Sequence, residues 1–169
     1  DFSRCYGDLK RSRRLIERAQ KLGKQHGLRR YLNYLDCTEV DQLRLEHKHD
    51  HALQLLSDVR TRIASDNLDG WLGHTYLLEA YTFLDLEQKN KVSECLASAH
   101  ASYKRTDHLW GTMQVALVEF VAEFGKNIVG RDSELEKLAK QLAGAGYLKS
   151  ASDLRALGKD SQIKLGGVA

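Results

Sequence analysis

The chain has 169 residues, 42% of them hydrophobic, and a net charge of +3, which suits one domain with a substantial core and excludes a disordered chain. No run of about 18 apolar residues occurs, so no membrane-spanning helix is expected, and nothing near Asp1 reads as a signal peptide. Proline is absent, as suits long unbroken helices, because an interior proline removes an amide donor and costs about 3 kcal/mol.

Asp1 is not an initiator Met, and the first residues read as the middle of a helical segment, so the chain is expected to be part of a larger protein. Cys5, Cys37 and Cys95 are odd in number and irregular in spacing. They signal neither a disulfide framework nor a zinc site, which points to a reducing, cytoplasmic compartment. Charge is uneven: residues 1–30 hold ten Lys/Arg against three Asp/Glu, a balance of +7, leaving −4 for the remainder. A basic helix can bind phosphates. The simpler reading is a solvated face opposite a buried stripe of Leu9, Leu15, Ile16, Ala19 and Leu22.

In chain order, helices are expected over Gly7–Gly23, Leu28–His47, Asp50–Ser65, Asp69–Leu86, Lys89–Arg105, His108–Phe124, Asp132–Leu142 and Leu148–Leu157. Gly27 and the run Ser65-Asp66-Asn67 punctuate the first of them. Nothing reads as a strand. Residues 158–169 have little pattern and are expected to be loosely held.

The organising feature is a 40-residue repeat. Ser12, Ala52 and Val92 share one column; so do Leu15, Leu55 and Cys95; Ile16, Leu56 and Leu96; Ala19, Val59 and Ala99. Within each helix these fall at i, i+3, i+4 and i+7, one face of an α-helix. The intervening helices keep the period as well, with Tyr31 over Trp71, Val40 over Ala80 and Phe120, Leu43 over Phe83, and Glu39 over Glu79 and Glu119. A hairpin of this length cannot bury both faces alone, so stacking is implied.

The phrase Gly7-Asp8-Leu9, Ala19, Leu22-Gly23, His26-Gly27-Leu28, followed by Glu39 and Ala52-Leu53 with Leu55-Leu56, resembles tetratricopeptide-type repeats over residues 7–127. More narrowly, it is similar to the MalT-like region of large LuxR-type bacterial transcription activators. The resemblance implies an all-α fold of antiparallel hairpins stacked as a superhelix of about seven or eight helices. Repeats would occupy residues 1–127, a C-terminal helical cap 128–157, and a tail 158–169. In that family the repeats follow an ATPase module, precede a helix-turn-helix, and receive an inducer or an inhibitory protein. Residues 128–169 carry no convincing helix-turn-helix, so DNA binding and ATP hydrolysis are not assigned to this chain.

Three constellations were weighed for chemistry. His47-Lys48-His49-Asp50-His51 could bind zinc, but histidines two apart do not share a helix face. Gly144-Ala145-Gly146-Tyr147-Leu148-Lys149-Ser150 echoes a phosphate loop, but lacks the glycine before Lys-Ser and a preceding strand. Asp132, Glu134 and Glu136 read as an exposed charged face. No nucleophile signature links Ser, Cys or His. The expectation is therefore no enzyme, no metal and no cofactor.

Aromatics concentrate on the first helix of each hairpin, which lines the concave groove in tetratricopeptide-like stacks. Carrying that family's small-residue register onto Ala52, Val92, Val59 and Ala99 points Tyr34, Asp41, Arg44, His74, Tyr81, Asp85 and Gln114 into the groove. Tyr31, Trp71, Tyr76 and Phe83 are expected to pack between hairpins. Mixed aromatic and polar groups in a concavity suit a protein, peptide or small-molecule inducer. The expected function is a sensor or interaction domain of a bacterial transcription regulator, acting on flanking modules. A free-standing adaptor, or nucleic-acid binding through the basic first helix, is the alternative.

Overall fold

The computed structural model describes residues 8–124 and 132–144, with the single positions 146, 152 and 155. Among the described residues seven helices follow one another: α1 (Leu9–Gln25), α2 (Arg29–Leu45), α3 (His49–Ser65), α4 (Asp69–Asp85), α5 (Lys89–Arg105), α6 (Leu109–Phe124) and α7 (Asp132–Gly144). The fold is all-α, with antiparallel hairpins stacked in repeats, and no strand occurs among the described residues. No described helix is long and apolar enough to cross a membrane. The expected helix over Leu148–Leu157 and the tail 158–169 lie outside the described residues, apart from Ser152 and Arg155.

The chain divides into two compact units, Asp1–Val115 and Ala116–Ala169, with the boundary inside α6. In the first unit the period is finer than the sequence suggests. Helices α1 to α5 have 17 residues each. The turns that follow them carry a left-handed residue at Gly27, His47, Asn67, Glu87 and Asp107, with φ of 63°, 59°, 52°, 59° and 49°, so the backbone repeats every 20 residues. Each turn is a Schellman cap. In the first, Leu28 N–H donates to Gly23 C=O at 2.9 Å and Gly27 N–H to Lys24 C=O at 3.3 Å. The same two bonds recur at Lys48 and His47, Leu68 and Asn67, Gln88 and Glu87, and His108 and Asp107. They satisfy carbonyls that a helix end otherwise leaves without partners. The residue that closes one cap also starts the next helix, so each turn reverses the chain without a longer loop.

The repeated apolar columns form the core. Ser12, Ala52 and Val92 are fully buried, as are Ile16, Leu56 and Leu96, and Val59 and Ala99. One cluster joins Cys37, Val40 and Leu43 of α2 to Ala52, Leu56, Val59 and Ile63 of α3 and Leu78 of α4. Side-chain size varies along a further column, Gly23, Ile63 and Tyr103. At its large end the Tyr103 ring lies where Cβ atoms on Gly73 of α4 and Gly111 of α6 would stand, 2.8 and 2.3 Å from Cε1. Two glycines thus open the seat for one aromatic ring.

Polar joints repeat too. Gln20 of α1 donates to Glu39 of α2 at 2.6 Å, and Arg60 of α3 donates to Glu79 of α4 at 2.7 Å. The recurring glutamate therefore ties the second helix of one hairpin to the first of the next.

The expected stripe of α1 needs correction. Ser12, Ile16 and Gly23 are its buried residues, whereas Leu15 and Leu22 are both 47% exposed. One residue along a helix turns the side chain by about 100°, so Leu15 and Leu22 sit a quarter turn away from Ile16 and Gly23. Arg13 also leaves the solvated face expected for the basic residues: its guanidinium grips both carboxylate oxygens of Glu46, at 2.9 and 2.8 Å.

In the second unit α7 buries Leu135, Leu138, Ala139 and Leu142, the i, i+3, i+4, i+7 stripe of an amphipathic helix. Glu136 accepts a two-pronged hydrogen bond from Arg155 at 2.7 and 3.0 Å.

Candidate functional site

The side chains expected to face the groove separate into two groups on α2, α4 and α6. The first is a closed polar network. Arg44 Nη2 and Nε reach Asp41 Oδ1 at 2.9 and 3.0 Å, and Nη1 reaches Asp85 Oδ2 at 2.8 Å. The guanidinium carbon lies 5.5 Å from the centre of the Tyr81 ring. Tyr81 Oη in turn donates to Gln114 Oε1 at 3.3 Å. Five of the groove residues named from the sequence, Asp41, Arg44, Tyr81, Asp85 and Gln114, are therefore joined, and they span three repeats. Burial pulls the Arg44 pKa down, but Asp41 and Asp85 more than offset it, so the charge is held firmly. Burial pushes the Tyr81 phenol well above its ordinary value, so it remains a neutral donor.

Asp41 and Gln114 are buried, at 2% and 4% exposure. Gln114 does not meet solvent as its register with Tyr34 and His74 suggested. Its amide oxygen is occupied by Tyr81, which drew the side chain inward. This group is a clamp between hairpins.

The second group is open. The Tyr34 ring, half exposed on α2, meets Trp71 of α4 edge-on at 5.7 Å. Trp71 meets His74 edge-on at 6.1 Å, one helical turn along α4. The three rings form a ladder across two repeats, with Tyr34 at its outer end. The sequence marks Trp71 as a packing residue and does not mark its contact with these two rings. The available signal was the i, i+3 spacing of Trp71 and His74, which puts two aromatic groups on one face. Trp71 also packs against the core cluster, so it serves both purposes. Edge-to-face pairs of this kind contribute about 0.5–1.5 kcal/mol beyond area burial.

Burial raises the Cys37 thiol to about 12. Burial and the neighbouring Glu79 do the same to Cys95, again to about 12, so neither is a thiolate near neutrality. Arg60 stacks over the Tyr76 ring at 4.2 Å while pairing with Glu79, which makes Tyr76 part of a joint. In the histidine run, His47 is the left-handed turn residue and His49 begins α3, with ring centres 5.9 Å apart. Among the described residues no three metal-capable side chains converge. The phosphate-loop echo at 144–150 falls largely outside the described residues.

No family model, no curated protein and no solved structure matches this chain.

Proposed function

We propose that this chain is a non-enzymatic interaction domain, the sensor segment of a bacterial transcription regulator, that takes a protein, peptide or small-molecule inducer along α2 and α4. The observation that carries this reading is the Tyr34–Trp71–His74 ladder. Rigid aromatic faces with polar edges are good anchors, because they contribute large contact area with few rotors to freeze. The neighbouring polar groups are locked in the Arg44 clamp, which fixes the spacing of the helices that carry the ladder. Besides packing on its chain neighbours, α2 touches α4 directly, as helices on the inner side of a curved stack do. A ligand that bridges Tyr34 and His74 spans two hairpins. It therefore favours one angle between them and passes that preference to flanking modules.

Site-specific photocross-linking in cells tests the reading. A photoreactive phenylalanine at Tyr34 or His74 is expected to trap a discrete partner. The same probe at Asp58 or Glu94, exposed on α3 and α5, is expected to trap none. Equal labelling from all four positions would remove the ladder as the binding surface.

A further inference from the structure

The ring ladder differs from the other aromatic groups of α4 in one respect. Helix α4 lies inside the stack, with α3 and α5 both packed on it. Three of its rings already carry a cation from a neighbouring helix. Arg60 of α3 stands over Tyr76 at 4.2 Å, Arg44 of α2 over Tyr81 at 5.5 Å, and Lys91 of α5 over Phe83 at 4.9 Å. The face of an aromatic ring is negative and attracts such groups, indole most strongly. Among the described residues no Lys or Arg stands over Trp71 or Tyr34. Tyr34 and His74 instead stand nearly square to the indole, at 85° and 83°. Rings set square to one another are the walls from which an aromatic cage for a cation is made.

Charge is laid out to the same end. Helices α1, α3 and α5 together carry thirteen Lys/Arg against four Asp/Glu, whereas α2 and α4 carry three against six. Helix α4 has no Lys or Arg at all. Ion pairs join the two sets, Arg62 to Asp36, Arg60 to Glu79 and Arg105 to Asp69. In the clamp Arg44 is held by two carboxylates. Asp85 gives Oδ2 to that arginine and is 35% exposed, so its carboxylate can receive a further cation. An anionic ligand would meet carboxylates along α4 and no cation of that helix.

Spacing separates a peptide from a small cation. Trp71 and Asp85 are fourteen residues apart on α4. That is about 21 Å and nearly four full turns, so both lie close to one face. A small cation fills only one of the two places. An extended chain covers the distance in about six residues, and an even number keeps both of its side chains on one side.

We propose that the ladder takes a basic peptide segment in extended form, with one arginine over Trp71 and Tyr34 and a second, six residues away, on Asp85. The proposal rests on the ladder being the recognition surface and adds the chemistry of its ligand.

The probe is a labelled peptide of about ten residues, serine and threonine throughout except for two arginines six apart. Fluorescence anisotropy is expected to show binding that weakens with salt. Moving the second arginine to five apart turns it to the other side of the strand, and affinity should fall at least about threefold. Glutamate in place of both arginines should abolish binding. Tyr34→Leu keeps an apolar side chain but removes the ring, and should weaken the six-apart peptide at least about threefold at unchanged circular dichroism. Asp85→Asn should weaken the six-apart peptide and leave the five-apart one unchanged. Four results overturn the proposal: no binding of the six-apart peptide; equal affinity of the two spacings; equal or tighter binding of the glutamate peptide; or N-acetylarginine amide competing as well as the whole peptide. Glutamate-peptide binding that Tyr34→Leu abolishes would overturn the cationic ligand while keeping the ladder as the surface. Failure of the ladder itself is read separately, by equal photocross-linking from Tyr34, His74, Asp58 and Glu94.

Discussion

The seat of Tyr103 gives the sharpest test of the packing. In an ordinary helix interior Gly→Ala stabilises by about 1 kcal/mol. At Gly111 the new Cβ would lie 2.3 Å from Tyr103 Cε1 and 2.4 Å from Cδ1 and Cζ. The ring cannot simply swing away, because its other face stacks on His108 at 5.1 Å and its edge abuts Gly73. Overpacking of this kind costs about 1–3 kcal/mol. Gly111→Ala should therefore forfeit that gain and lose up to about 2 kcal/mol net. Gly73→Ala, with its closest approach at 2.8 Å, should lose less. Urea denaturation followed by far-ultraviolet circular dichroism reads both, with an unchanged m-value showing that stability alone has moved. In a Tyr103→Leu background the ring is gone, and Gly111→Ala should reverse sign and stabilise. If Gly111→Ala gains the same stability with and without the tyrosine, the ring does not sit in the glycine notch.

Other expectations follow from the turns, the core and one carboxylate. A non-glycine residue in the left-handed region costs about 1–2 kcal/mol, so His47→Gly and Glu87→Gly should each raise the melting temperature, while Gly27→Ala should lower it. Leu56→Ala and Leu96→Ala, both in the buried stripe, should each lose about 2–5 kcal/mol in equilibrium denaturation. The Arg13 hydrogen bond, joined by Lys48 and Gln42, holds the Glu46 carboxyl down at about 2. Its folded value lies below its unfolded one, so its contribution is complete above about pH 4.5 and is lost as pH falls towards 2. After solvent screening that amounts to about 1–2 kcal/mol, and Glu46→Gln should flatten the acid limb of stability against pH.

Much of the fold was legible because its determinants are periodic. Ile16, Leu56 and Leu96 announce the core by spacing alone. The turns were harder to read. Of the five left-handed turn positions Gly27 and Asn67 carry residues that signal one; His47, Glu87 and Asp107 fill the same slot, and the regular 20-residue spacing emerges from the backbone. Charge was read least well. Arg13 and Arg62 look like surface residues in the sequence, yet both reach across to α2, since a long side chain's direction depends on its neighbour helix. Leu15 and Leu22 fit the apolar pattern of α1, yet they stand about a quarter turn from its buried residues. At the candidate site the register found the clamp residues but not the burial of Asp41 and Gln114; Tyr81 engages the latter. Removing Gln114 should thus cost about 1 kcal/mol, and only Tyr34 and His74 are suited to a substitution meant to spare the fold.

That pair provides the most direct test of ligand recognition along α2 and α4. Tyr34→Ala/His74→Ala should still melt cooperatively, with a loss of about 1–3 kcal/mol, since each of the two edge-on ring pairs contributes about 0.5–1.5 kcal/mol beyond burial. On the proposed function, cells carrying the variant in place of the natural protein should lose the transcriptional response. A variant that melts cooperatively and still supports the wild-type response would place recognition away from the ladder and contradict the account.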